Sequence, residues 1–447
     1  MHSNIDFIKG DTRQSLLKMV VPLLVSMILT MVYNLVDSLW VGNLLGEQGY
    51  AALTNSTAII MILNAVAMGA GNGVSILVSQ AVGAGEKEKL EKIIVSVTAM
   101  TVVFAGIITL VVEIGLEAIL RAMGTPEEIR AMSYDYLAVY LSGFVILSLY
   151  LHFAAIFRAF GDPLFQVKGM LLSTVINAVI DPLFIQRMGL RGAAVATVLS
   201  ECLCLVFVVI YHKKKKWFRM DFKKVSLHYI KPVFAYAVPS ALQQCMPAIS
   251  SAVMVILVTR FGVTTLAAYG VTSKLEILLF YPAMAMNMAL TTIVGQCRGG
   301  GFTDRVKDYR KCAVRIGGGF MTVLSLLVIV LSGQLSQLFV RSGEVAGIVK
   351  QFFCIVSIGY VLYMITSCLL GELSGMGKPG ISMMLMLLYY LVIRVPLAIL
   401  LMHTGLGLCG IWTAILISHI LAAVLAGLFV LFQGERKEQG YESCNCL

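Results

Sequence analysis

Runs of twenty or more apolar residues, separated by short polar or glycine-rich stretches, recur from one end of the chain to the other. Each is long enough to cross a hydrocarbon core roughly 30 Å thick, and none shows the two-residue alternation of a barrel strand. Lipid offers backbone groups no hydrogen-bond partner, so long uniform runs predict helices, which pair their own backbone. Twelve are predicted. The first six cover about 17–42, 51–82, 92–114, 130–157, 165–186 and 192–212. The second six cover about 232–260, 264–297, 311–333, 346–371, 381–402 and 408–432. The fold class expected is an all-α membrane protein.

The polar stretch 213–231, beginning KKKKWFRMDFKK, divides the two sets. Four segments follow: a six-helix lobe over 1–212, a cytoplasmic linker over 213–231, a second six-helix lobe over 232–432 and a tail over 433–447. The lobes repeat at a period of about 216 residues, the signature of a duplicated unit. Pro22 in VVPLLVS matches Pro239 in YAVPSAL, Gln80 and Gly83 match Gln296 and Gly299, Gly161 matches Gly377, and Gly192 matches Gly410. Six spans per half give both halves the same orientation, which implies an axis along the membrane normal and a cleft between lobes. Two bundles rocking about a central site suit a carrier better than a static channel.

Composition agrees: 59% of residues are hydrophobic and 13% charged, about half the charged fraction of a soluble protein. The net charge of +10 does not indicate nucleic acid. With the N-terminus inside, about 25 of the 34 Lys and Arg fall in cytoplasmic segments, the bias that fixes topology. Both termini and Lys213–Lys216 are therefore expected in the cytoplasm, with Trp40 and Trp217 as interfacial anchors and some affinity for anionic lipid. No cleavable signal peptide is expected, because the first apolar run is too long for one. The cysteines read as small buried hydrophobes, and the Cys444-x-Cys446 pair lacks further metal ligands. SQAVGAGEKEK lacks the Walker ending and follows a membrane helix, so it reads as a turn. Nothing suggests a nucleotide-driven engine, which leaves an ion gradient as the energy source.

A charge at the centre of a span costs about 2.5–3.5 kcal/mol on insertion scales, so each one needs a reason. Asp37 lies in the outer half of the first helix, with Asn34 three residues before it. Asp181 lies near the outer end of the fifth, and Asn177, four residues earlier, shares its face. Thr197 enters the sixth helix at the same depth. Two carboxylates, amides and a hydroxyl in a low-dielectric place form a candidate site for H⁺, since desolvation and repulsion favour proton uptake, or for Na⁺, which takes the same oxygens. The alternative is structural: Asp181 caps backbone freed by Pro182, and Asp37 bonds within the bundle. Arg394, in the eleventh helix, is expected to meet a carbonyl or to snorkel outward. Lys274 and Glu276, two apart, should find different partners. Glu372 and Arg158 fall at cytoplasmic ends, where charge is cheap.

These residues resemble the multidrug and toxic compound extrusion (MATE) transporters, most like the prokaryotic DinF-like branch. The resemblance is carried by VVPLLVSM, YNLVDSLWVG, VSQAVGAGEKEKLEKI, FRAFGDP, NAVIDP and GLRGAAVATVLSE in the first half. SKLEILLFYPAMAMNMALTTIVGQ and GELSGMGKPG carry it in the second. It implies two six-helix lobes and export of cationic or amphipathic drug-like compounds in exchange for H⁺ or Na⁺. It also implies a coupling role for Asp37, Asn177 and Asp181, with Thr197 beside them, and a bending role for Pro22. No acidic residue lies in the seventh helix, which departs from the other prokaryotic branch.

The expectation is a monomeric efflux antiporter of the cytoplasmic membrane, without cofactors, taking small molecules and surrounded by lipid. Its cavity should be lined by Met, Phe and Tyr, Tyr136 among them, soft surfaces that accept varied ligands. A flippase for a lipid-linked saccharide is the rival, but such a protein needs a cationic groove and embedded Arg and Lys are scarce. A membrane enzyme would need a clustered constellation, and the six His are dispersed. A passive channel would conduct without saturable exchange.

Overall fold

The computed structural model describes residues 5–337, 339–340 and 342–444, with side chains as far as Leu431. Cys444 and Cys446, raised above as a weak metal motif, lie outside the described side chains. Among the described residues there are helices and no strands. The helices are α1 (Thr12–Ala84), α2 (Lys87–Ala122), α3 (Glu127–Ala159), α4 (Leu164–Met188), α5 (Leu190–Lys215), α6 (Ile230–Thr259) and α7 (Val263–Gly299). They continue with α8 (Thr303–Gln337), α9 (Gly343–Gly375), α10 (Pro379–Leu387), α11 (Arg394–Met402) and α12 (Leu408–Cys444). A π-helical segment, Leu388–Ile393, joins α10 to α11, so that pair makes one span.

Eleven helical runs are long and apolar enough to cross a membrane. The first of them, α1, is interrupted at Gly46, whose backbone (φ 66°, ψ −158°) is closed to residues with a side chain. The break leaves two segments, 12–45 and 47–84, each of spanning length, which reconciles eleven runs with about twelve spans. A single glycine replaces the loop expected near residues 43–50. The protein is a multi-pass membrane protein, and its exposed side chains say the same: Ile114 is 85% and Val330 74% accessible.

Backbone geometry repeats with the sequence. Gly46 and Gly262, then Gly161 and Gly377, hold left-handed conformations 216 residues apart. Helix contacts repeat as well, with a twist. In the first half Gly71 faces Leu151 and Ala155. The positions 216 later reverse the roles: Gly371 lies against Asn287, so close that a Cβ on it would sit 2.6 Å from the Asn287 carbonyl oxygen. Small residues let helices approach where lipid gives no hydrophobic drive between them. The repeat equivalents α3 and α9 are well enclosed in their halves, and α7 is as enclosed as α9.

The chain forms two compact units. The first takes 17–242 with Gly299–Gly301 and the N-terminal residues up to Gly10; the second takes 243–298 and 302 onward with Asp11–Leu16. The polar segment after α5 is folded onto the first unit. Arg219 N–H and Lys224 both reach the Glu91 carboxylate (3.2 and 3.5 Å), and Ser226 N–H donates to Ser96 Oγ at 2.9 Å. Trp217 is stacked on Phe160 at 5.2 Å, and the Lys215 ammonium lies 4.9 Å from its ring. Turns at the helix ends are also tied down. Tyr211 donates to Asp162 at 2.5 Å, and Lys215 pairs with the same carboxylate at 3.6 Å. Arg158 and Glu372, expected at wet helix ends, are buried instead. Glu372 keeps Arg310 at 3.2 Å, and Arg158 reaches Gln166 at 3.4 Å.

Candidate functional site

The first unit carries a polar core on four helical segments. Asp37 comes from α1, Tyr136 from α3, Asn177 and Asp181 from α4, and Thr197 from α5, and all five are buried. The Asn177 amide donates to Asp181 Oδ1 at 2.9 Å, the one-turn pairing that their spacing predicts. The carboxyl groups of Asp37 and Asp181 lie within hydrogen-bonding reach of each other. Asp37 Oδ1 and Asp181 Oδ2 are buried and have no other partner. Two carboxylates can share a hydrogen bond only when one holds a proton, because an ionised carboxylate accepts and never donates. A buried acceptor left without a donor is costly, and this pair holds two such oxygens.

One turn along each helix stands a second layer. Tyr33 lies four residues before Asp37, Tyr140 four after Tyr136, Asn177 four before Asp181, and Glu201 four after Thr197. Every step runs the same way through the bundle, because α1 and α4 run opposite to α3 and α5. The layers are therefore about 6 Å apart. Tyr136 stacks on Tyr140, ring centroids 6.4 Å apart, and lies within electrostatic range of both aspartates. Tyr140 donates to Asn64 at 3.2 Å. The Tyr33 hydroxyl lies beside Thr197 and Ser200 without a well-formed bond. Ser173 and Ser200 join α4 to α5 at 3.3 Å.

Not every expected residue is in this core. Asn34 is exposed, whereas Asp37 is buried. Thr197 is buried, but its hydroxyl neighbours Tyr33, and no hydrogen bond joins it to either aspartate among the described residues. Pro22 is half-buried, and α1 keeps helical dihedrals through it. Among the described residues, no three His, Cys, Asp or Glu side chains are grouped as a metal site. Three core residues were not anticipated: Tyr33, Tyr140 and Glu201.

The second unit has a polar core of different character. Glu276 is bonded by the Tyr360 hydroxyl. Arg394, expected to meet a carbonyl or to snorkel outward, is buried among side chains: its Nε donates to Ser418 Oγ at 3.0 Å and one terminal nitrogen to Tyr389 Oη at 2.5 Å. Its guanidinium lies 4.7 and 4.5 Å from the Tyr389 and Tyr390 rings. His419 accepts or donates at 2.9 Å from Tyr389. Glu276 feels the Arg394 charge, while Lys274 is exposed, so that neighbouring pair does not interact. The π turn at Leu388–Ile393 frees the Tyr390 carbonyl, which accepts from Ser250 Oγ at 3.1 Å.

The sequence profile described as MatE matches this chain twice, over residues 22–183 and again over 239–400. The chain belongs to the MatE family. As a MatE protein it is a membrane transporter and not an enzyme, and the double match coincides with its structural repeat. It is 25% identical over 444 residues to YoeA of Bacillus subtilis, a probable multidrug resistance protein, with 96% of each chain covered. It is 24% identical over 455 residues to the multidrug export protein MepA of Staphylococcus aureus, again over 96% of each. A FAD transporter of Shewanella oneidensis is 23% identical over 419 residues, 92% of each chain. A solved MOP superfamily transporter from Pyrococcus furiosus shares the fold at a TM-score of 0.90, with 24% identity over 96% of this chain and 97% of that one. A MATE structure in the bent conformation superposes at 0.92, with 23% identity over 97% and 98%.

Proposed function

We propose that this MatE protein is a multidrug efflux antiporter of the cytoplasmic membrane, acting as a monomer with both termini in the cytoplasm. It exports cationic and amphipathic small molecules in exchange for protons. Family relatives named as drug exporters over nearly their whole length support the cargo class. The carboxyl pair supports the coupling: Asp37 and Asp181 face one another with otherwise unpartnered oxygens. Each turnover loads a proton on the pair from the outside. Loading removes repulsion between α1 and α4 and changes how α1 packs, with Pro22 supplying the backbone freedom that a missing hydrogen bond gives. Cargo leaves outward; deprotonation to the cytoplasm resets the pair.

Na⁺ is the second reading, since the same oxygens fit a hard cation. A proton is preferred because Asn177 turns its amide N–H toward the pair, which helps a carboxylate and not a metal ion. Purified protein in vesicles, given a pH gradient and a Na⁺ gradient separately, decides between them. Ethidium export should follow the pH gradient and vanish in Asp37→Asn. Export by Asp37→Asn at the wild-type rate under a fixed gradient would remove the carboxyl pair from the mechanism.

A further inference from the structure

Glu201 is a charged side chain of the first unit that proton coupling does not use. It lies about eleven residues, or about 16 Å, into α5 from the Gly189 turn, where a charge is costly. Thr197, Ser200 and Cys204, on the same helix face, are fully buried, whereas Glu201 is half-buried. Tyr33 on α1 and Tyr140 and Tyr150 on α3 surround it within electrostatic range. It is thus near the α1 and α3 tyrosines of this unit and yet partly accessible. Among the described residues it has no ion-pair or hydrogen-bond partner. Beside it the Tyr33 hydroxyl is buried and without a well-formed bond.

The two acidic sites therefore differ in kind. Asp37 and Asp181 are closed against each other one turn away, with room for a proton or a bare ion. Glu201 is partly accessible, single and within electrostatic range of three tyrosines. A carboxylate supplies charge, and ring faces attract an organic cation further when water is excluded. A small metal ion would instead want several converging oxygens, and the neighbouring tyrosines offer few.

We infer that Glu201 recognises the positive charge of the cargo, pairing with the amine or quaternary ammonium of the exported compound between Tyr33 and Tyr140. The inference rests on the efflux reading above but assigns a role separate from coupling. It predicts that cargo charge and driving ion are read by different carboxylates one helical turn apart.

The test uses two probes, a dansyl compound bearing a trimethylammonium group and its uncharged tert-butyl isostere. Binding to purified full-length protein is measured by fluorescence anisotropy, and export is measured in vesicles under a fixed pH gradient. Wild type should prefer the cationic probe by about tenfold, the scale of one desolvated cation–π and charge contact. Glu201→Gln should erase that preference while leaving the neutral probe's affinity unchanged, and Glu201→Asp should restore most of it. Asp37→Asn should keep the binding preference and lose gradient-driven export. A Glu201→Gln variant that still prefers the cation overturns the assignment, as does a Glu201→Asp variant that loses the preference as fully as Gln does. Failure of wild type to export either probe would instead defeat the efflux reading.

Discussion

The two units are built from one repeated pattern, yet they treat the charges within their spans in opposite ways. In the first, Asp37, Asp181 and Glu201 lie within one turn of each other along the bundle, and no cation of the protein pairs with any of them among the described residues. In the second, Glu276 has Tyr360, and Arg394 has Ser418, Tyr389 and the faces of two tyrosines. An acidic core with unmet oxygens is a place for something to arrive. A core whose charged groups have partners is a more fixed part of the scaffold, since a satisfied buried network rigidifies. The two bundles are similar in pattern and differ in how their mid-span charges are paired.

The strongest way to break this comparison is to swap neutral for charged groups on each side. Asp37→Asn and Asp181→Asn should each bring gradient-driven dye export down to that of empty vesicles, because no proton can be cycled. Glu276→Gln should keep substantial export, because Gln still accepts from Tyr360. Equal losses at all three positions, with all three variants folded, would mean that the second unit couples too.

Removing Arg394 sharpens the same contrast through stability. Arg394→Met leaves Glu276 without its nearby positive charge and Tyr389 and Ser418 without their donor. Breaking a buried charged network costs on the order of 3 kcal/mol, and the loss should appear as a lower unfolding temperature in detergent. Adding Glu276→Gln should recover part of it, a coupling of about 0.5–3 kcal/mol for groups in one network. Strict additivity of the two substitutions would show that the charges do not sense each other.

Much of this arrangement was legible in the chain. The cost of mid-span charge singled out Asp37 and Asp181, and the four-residue spacing gave the Asn177–Asp181 bond. Asn34 is exposed where Asp37 is buried, since three residues turn a helix by about 300° and leave an offset of about 60°. Glu201 obeyed the rule that found Asp37, and it stands four residues after Thr197. Within GLRGAAVATVLSE it reads as part of the family resemblance rather than as a mid-span charge. Arg394 was not readable by periodicity at all. A π turn inserts an extra residue into the helix and rotates everything after it, so a steady 3.6-residue count does not carry through Leu388–Ile393 to Arg394.

Proline gives a smaller contrast. Pro22 and Pro239 are repeat equivalents, each inside a helix, but only Pro22 lies on the helix that carries half of the carboxyl pair. Pro22→Ala restores a backbone hydrogen bond and stiffens α1, which should slow export several-fold while raising stability by a share of the ~3 kcal/mol that an interior proline costs. Pro239→Ala should change export far less. Initial export rates from matched vesicles read both, and equal slowing would detach bending from the carboxyl pair.

The smallest expected effect concerns packing and not charge. Gly71 and Gly371 stand on opposite partners of the same repeated helix contact. A Cβ on Gly71 would meet its nearest atom, the Leu151 carbonyl oxygen, at 3.4 Å, an ordinary contact. Gly71→Ala should therefore be neutral, or gain up to about 1 kcal/mol from helix propensity. A Cβ on Gly371 would sit 2.6 Å from the Asn287 carbonyl oxygen and 3.1 Å from its Cα, both backbone atoms that cannot step aside. Gly371→Ala must push α9 away from α7, an overpacking cost of about 1–3 kcal/mol that outweighs the same propensity gain. It would also stretch the Asn287 side-chain bond to the Ser367 carbonyl, now 2.9 Å. Unfolding temperatures of the two variants should thus move apart, Gly371→Ala downward. If they move together, the reversed glycine is a chance difference between the halves and not the means by which the second unit holds its helices closer.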